Sequence, residues 1–184
     1  MRKVNIKLVS IFTSFLLVIL SLVLVYLSKS SRFNDEEYAR MMAVHHSQAV
    51  ELSLYMVSNG VDSDLRVIAT DALLTQQNQV GRFQQFLDER GARRVLAPGL
   101  VMDGMLARED IESFKNLLGL ELDLRYIDLM ITHHKGGVAM SKSSLALGLS
   151  GEMERLAKSV INSQLSEIDV LLQVKDRLLL VAKQ

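Results

Sequence analysis

Residues 35–88 slide onto residues 123–176 without a gap and coincide at twelve positions. The identities are Asp35/Asp123, Tyr38/Tyr126, Met42/Met130, His45/His133, His46/His134, Val50/Val138, Ser53/Ser141, Gly60/Gly148, Ala69/Ala157, Gln76/Gln164, Gln85/Gln173 and Asp88/Asp176. Polar and sulfur-bearing positions are kept alongside apolar ones, which a repeat retained only for packing would not need. An offset of 88 residues is too long for a solenoid array and fits a duplicated half-domain. All four histidines lie inside the repeat, as two adjacent pairs, His45-His46 and His133-His134.

Each copy reads as a helical hairpin. Tyr38, Met41/Met42, His45, Ala49, Leu52 and Met56 recur with helical spacing, and Tyr126, Leu129/Met130, His133, Gly137 and Met140 repeat the rhythm. One proline, no tryptophan and ten other aromatics, set among much Leu, Ala, Val and Met, also favour an all-α fold. The first helix is expected from Asn34, an N-cap with Glu37 three residues on as in a capping box, to Asn59 before Gly60. A second follows Asp62 or Ser63 and runs to Arg90; later helices cover about 108–118, 120–147 and 152–181. Two such hairpins bury their apolar faces by packing into a four-helix bundle. The bundle domain is therefore placed at 34–184, as repeats 34–90 and 122–181 joined by a connection at 91–121. Met102 and Met105 in that connection read as a loop packing onto the bundle end, with an outer ligand pair as the alternative.

The segment 1–33 is of another kind. Residues 8–27 are an uncharged run behind Arg2, Lys3 and Lys7. Twenty residues span roughly 30 Å, the thickness of a bilayer's hydrocarbon core. No Ala-x-Ala-like cleavage site follows, which favours an uncleaved transmembrane anchor over a removed signal. The early positive charges predict a cytoplasmic N-terminus and an exported C-terminal domain, periplasmic or extracytoplasmic. A polar tether is expected at 28–33.

Twenty-one basic and twenty-one acidic residues cancel and are scattered, so no footprint for nucleic acid is present. The absence of cysteine excludes disulfides, thiolate metal sites and thiol catalysis. No Ser-His-Asp order, phosphate-binding glycine loop or dinucleotide fingerprint appears, so no catalytic or organic-cofactor residues are assigned and an enzyme is not expected.

The histidine pairs carry the chemistry. Imidazole is the common metal ligand near neutral pH. Met42 precedes His46 by four residues and Met130 precedes His134 by four, so thioether and imidazole share a helix face in both halves. That donor set suits Cu(I). His45, His46, His133, His134, Met42, Met130 and Met140 are the candidate ligands. Gln76 and Gln164, each thirty residues after a histidine, are candidates to orient a ring nitrogen across the hairpin; Glu167 and its counterpart Gln79 are candidates for the same role. The residues three before the histidines are Met42, Ala43, Met130 and Ile131, which excludes the Glu-x-x-His pattern of a di-iron site.

The stretches Tyr38-Ala-Arg-Met-Met-Ala-Val-His45-His46-Ser-Gln-Ala and Tyr126-Ile-Asp-Leu-Met-Ile-Thr-His133-His134-Lys-Gly-Gly resemble the doubled Met-x-x-His-His motif of domain-of-unknown-function family 305 (DUF305). Gln164-Leu-Ser-Glu167-Ile168 resembles that family's stretch in the following helix, and the likeness covers about 34–180. The resemblance implies a ferritin-like four-helix bundle, export, and His/Met metal ligands, since the family includes periplasmic copper-binding proteins. This chain departs from the pattern at Leu52, Phe83 and Leu171, where the family often has methionine, and at Gln79, where the second repeat has glutamate.

Two functional readings stand. In one, a membrane-anchored, exported bundle sequesters or hands over copper, as Cu(I). In the other the protein is metal-free: an accessory subunit of an integral-membrane complex, such as a respiratory one, with the histidines in a structural hydrogen-bond network.

Overall fold

The computed structural model describes residues 6–96 and 100–183, with side chains described at 12, 14–27 and from Asn34 onward. Five helices follow in order: α1 (Ile6–Asn59), α2 (Ser63–Glu89), α3 (Arg108–Lys115), α4 (Gly119–Ala146) and α5 (Gly151–Val181). No strand occurs among the described residues. The second half of α1 pairs with α2 and α4 pairs with α5; α1 also packs on α4, and α2 on α5, closing an antiparallel bundle of four.

The repeat accounts for the way the hairpins hold each other. Asp123, at the start of α4, accepts hydrogen bonds from the backbone N–H of Val61 (3.1 Å) and Asp62 (2.8 Å) in the first hairpin's turn. Its counterpart Asp35 accepts from Ser150 N (2.9 Å) and Ser150 Oγ (2.6 Å) in the second hairpin's turn. Both carboxylates are buried. The Tyr38 hydroxyl meets Ser141 Oγ at 2.9 Å, and the Tyr126 hydroxyl meets Ser53 Oγ at 2.9 Å. Every one of these residues belongs to an identical or matched pair of the repeat. Identity survives at these polar positions because each contact is made twice, about a pseudo-twofold axis.

The core divides into two clusters that this axis exchanges. One holds Leu52, Met56, Leu65, Tyr126, Met130 and Leu171. The other holds Tyr38, Met42, Phe83, Met102, Met140 and Met153, with Met41 and Met105 packed against it. Between them lie four buried histidines and the glutamines Gln76, Gln79 and Gln164.

One expectation for α1 is corrected, and another finds no support. The polar tether at 28–33 is helical, and α1 runs through it unbroken. The stretch contains neither glycine nor proline, so nothing in it stops a helix. Asn34 is consequently no N-cap; its amide donates to Leu147 O (2.8 Å), closing the end of α4 instead. The N-terminal transmembrane helix is not found either: among the described residues no helix is long and apolar enough to cross a membrane. The described apolar side chains run over 12–27, about 24 Å of helix against about 30 Å of hydrocarbon. Side chains 8–11 of the expected span lie outside the described ones. The large apolar side chains described from Phe12 to Leu27 are 41–72% exposed.

The reciprocal aspartates give a direct test. Asp123→Ala and Asp35→Ala are each expected to lower the unfolding free energy by about 2–3 kcal/mol, because two bonds to an ionised acceptor are lost at a buried turn. Denaturant titration of the two variants measures this. A loss under about 0.5 kcal/mol in either would mean that hairpin turn does not depend on the opposite repeat.

Candidate metal centre

His45 and His46 occupy the middle of the packed part of α1, and His133 and His134 the middle of α4, so the α1–α4 contact brings the pairs together. All four rings are fully buried. His45 and His133 lie face to face across the pseudo-twofold axis, with ring centroids 3.8 Å apart and planes inclined by 37°. His46 and His134 flank this pair, 6.0 Å and 6.2 Å from their chain neighbours. The histidines thus form one shared centre.

Their hydrogen bonds set the proton positions. His134 Nε2 lies 2.8 Å from Glu167 Oε2, and His46 Nε2 lies 2.8 Å from Gln79 Oε1. His45 Nε2 lies 3.2 Å from the carbonyl of Asp103. A carboxylate or a carbonyl oxygen only accepts, so in each case Nε2 carries the proton and donates. For His45 and His46, which burial keeps neutral, the lone pair is then on Nδ1. Nδ1 of His45, His46 and His134 has no partner, and His133 has none on either nitrogen. This is the arrangement of metal-ligating histidine, with one nitrogen held by an oxygen and the other free to coordinate. Each unpartnered buried polar atom costs about 1–3 kcal/mol, so the layer holds folding energy that a ligand would recover. Among the described residues, however, no three His, Cys, Asp or Glu side chains converge to hold a metal ion. An ion here needs thioethers, or ring rotations, to complete its shell.

The candidate thioethers separate. Met42 and Met140 share the sulfur-rich cluster, whereas Met130 belongs to the opposite one. The orienting role falls on Gln79 and Glu167, and Gln76 and Gln164 are left without hydrogen bonds. In an antiparallel hairpin, the residue level with His46 lies thirty-three positions on, as does the one level with His134. An offset of thirty falls one turn away. A Cβ added at Gly137, one turn past His133, would collide with the Gln164 amide, so the missing side chain there makes room for that amide. Phe83 stands edge-on to the His46 ring at 5.8 Å and to Tyr38 at 5.7 Å, walling the layer where the family pattern often has methionine. Glu167 is partly exposed and lines a groove between α2 and α5 with Asp71, Thr75 and Ser166.

The connection does not pack onto the bundle end. It crosses the α1–α4 interface at the level of the histidines, where Asp103 reaches His45. Gln48 holds it there: its amide donates to Leu106 O (3.0 Å) and accepts from Leu106 N (2.8 Å). Sequence reasoning missed Gln48. The available signal was that it matches Gly136 in the second repeat, a break in symmetry just beside the best-kept positions.

Burial is the largest influence on the rings. It lowers His45 from the ordinary 6.5 to about 4 and His46 to about 3, and holds His133 well below its ordinary value, with neighbouring imidazoles adding to the effect. All three are neutral at pH 7, the form that binds metals. Above pH 6.5 these histidines are neutral in both folded and unfolded chains, so their contribution to stability is constant. As pH falls below 6.5 the unfolded chain takes up protons that the folded one excludes. Stability is therefore expected to drop between pH 6.5 and 5 by up to about 1.4 kcal/mol per pH unit for each buried ring. Denaturant unfolding at pH 7, 6 and 5 checks it, with His133→Gln expected to remove about a third of the slope.

Comparison with known proteins places the chain in a family. The model of the family described as Domain of unknown function (DUF305) matches residues 35–175. A proposed secreted DUF305 protein from Streptomyces coelicolor is 32% identical, with a TM-score of 0.75 over 79% of this chain and 93% of that one. A DUF305 fragment from Deinococcus radiodurans is 26% identical, with a TM-score of 0.72 over 78% and 96%. CopM, solved in a Cu(I)-bound form, shares the fold at 21% identity and a TM-score of 0.64, over 78% of this chain and 96% of its own. An uncharacterized mimivirus protein, L153 of Acanthamoeba polyphaga mimivirus, is 33% identical over 70 residues; the match spans 38% of this chain and 46% of that protein, under half its length. With a family match over the greater part of its length, this protein belongs to the DUF305 family.

Proposed function

We propose that this protein binds a soft metal ion, Cu(I) or one like it, in the buried histidine layer, and sequesters it or hands it over without covalent chemistry. The observation that carries this reading is the set of Nδ1 atoms of His45, His46 and His134, buried and unpartnered, with each Nε2 set against an oxygen acceptor. Met42 and Met140, both in one core cluster, are additional donors of the class that suits such an ion. His133 would complete the donor set, and Met130 would serve from the other cluster. When bound, the ion supplies a positive charge that satisfies nitrogens now left without partners. Gln79, Glu167 and the Asp103 carbonyl hold Nε2 of His46, His134 and His45, which would leave Nδ1 of each ring as the atom available to an ion. The fold relative CopM has been solved with Cu(I), Cu(II) and Ag, which supports the choice of metal class.

Export is part of the same proposal, supported by the Streptomyces relative described as secreted. The exposed apolar residues at 12–27, continuous with α1, are assigned to holding the bundle at a membrane.

A second reading draws on the lack of three converging His, Asp or Glu donors among the described residues. In it the histidines are structural, and the apolar helix docks the protein beside an integral-membrane complex. Titration of the full chain in detergent with Cu(I) or Ag(I) separates the two. Metal binding is expected tighter than micromolar, weakened ten- to a hundredfold by His46→Ala or His134→Ala. Met42→Leu and Met140→Leu are expected to weaken it more than Met130→Leu. Binding no tighter than micromolar, or binding unchanged by the histidine substitutions, would favour the second reading.

A further inference from the structure

The connection between the repeats breaks the pseudo-twofold symmetry at the histidine layer. Gln48 and Gly136 are equivalent positions, 88 residues apart, and lie on either side of the α1–α4 seam. In the first repeat the long amide of Gln48 grips Leu106 through both its N–H and its C=O. In the second, the missing side chain of Gly136 lets the backbone of Asp103 and Gly104 lie directly on α4. A Cβ at Gly136 would overlap the Asp103 carbonyl and Gly104 Cα. Gly104 is complementary: it takes φ +74°, and a Cβ there would press on Gly136 Cα and His133 O at 2.8 Å each. The crossing segment thus runs over His45 and His133 with its Asp103 carbonyl on His45 Nε2. Met102 roots it in one core cluster and Leu106 in the other.

Its own backbone contributes little to hold it. Between residues 100 and 106 the backbone–backbone hydrogen bond is Met105 N to Met102 O at 3.3 Å. A segment with so few backbone bonds opens at lower cost than the helices on either side. Gln48 is its clasp.

We propose that residues 100–106 form a strap that closes the histidine pair, that Gln48 latches it, and that a soft ion reaches His45 when the strap lifts and the Asp103 carbonyl leaves the ring. The proposal rests on the metal reading above for its ligand. The latch itself is a property of the metal-free protein. Lifting uncovers the α1–α4 seam and exposes the His45 ring. Closing again over the loaded pair returns Met102 to the sulfur-rich cluster beside Met42 and Met140.

The test uses the full-length protein and two variants, neither altering a candidate ligand. Gln48→Ala removes both bonds to Leu106. Gly136→Ala adds a methyl group where the strap lies, while alanine suits the helix better than glycine. Hydrogen exchange of the metal-free protein is expected to speed up by about tenfold or more at amides 103–106 in both variants, with amides in α2 and α5 unchanged. Stopped-flow mixing with Ag(I) is expected to give a rate that levels off at high Ag(I) in the wild type, set by strap opening, and that rises in parallel with exchange in both variants. Unchanged exchange at 103–106 in Gln48→Ala would overturn the latch. Faster exchange with an unchanged Ag(I) rate would overturn the strap as the route of entry. If the wild type bound no Ag(I), the metal reading and the entry route would fall together, and the exchange data alone would decide the latch.

Discussion

Contact between His45 and His133 across the pseudo-twofold axis is the constraint around which the bundle is organised. Two imidazoles stacked at the centre of an apolar bundle forbid a continuous hydrophobic core. The core accordingly splits into two clusters with a polar layer between them. Burial keeps those rings neutral, so the layer survives without stranded charge. It nevertheless leaves nitrogens without partners, a costly feature in any core. Unpartnered nitrogens that recur in both halves of a duplicated chain are the feature on which the proposed metal reading rests.

Symmetry builds this centre, and departures from symmetry make it usable. The aspartate and tyrosine–serine contacts are made twice and tie each hairpin to the other. The two faces of the histidine layer are nevertheless unlike each other. His134 leans on a carboxylate where His46 leans on a neutral amide. Met140 and Met153 enrich one cluster in sulfur where the equivalent positions of the other hold Leu52 and Leu65. On the metal reading proposed above, the thioether side would offer a soft cation more sulfur donors, and Glu167 would supply charge from the α5 side. The strap adds a third asymmetry by covering one seam of the bundle with backbone. Duplication alone would have produced a sealed and featureless middle.

Most of the helical framework was legible from periodicity and end signals. Asp62 caps α2 as its residue type suggests, and helices α3, α4 and α5 begin within about one residue of the positions expected. The failures have specific causes. Asn34 has the chemistry of an N-cap, yet with no breaker before it the helix simply continues, and its amide is used across the bundle. Gln76 and Gln164 have the right chemistry to orient a ring but sit one turn from the histidine level, because residue spacing along a hairpin depends on the turn and the packing offset. Met130 repeats Met42 perfectly in sequence and still ends up in the other cluster, since a twofold axis sends equivalent residues to opposite sides.

The linear order of residues by itself determined that this chain is helical and duplicated, and that its histidines form two pairs, each with a methionine four residues before the second ring. Those properties are local or periodic, and periodicity can be read without coordinates. Tertiary structure alone decided that the pairs meet as one centre, which nitrogen of each ring is held and which is free, and that Gln48 and Gly136 seat a strap over them. Each of these depends on the distance between groups far apart in the chain, and such distances are set by how helices pack, which no single helix encodes.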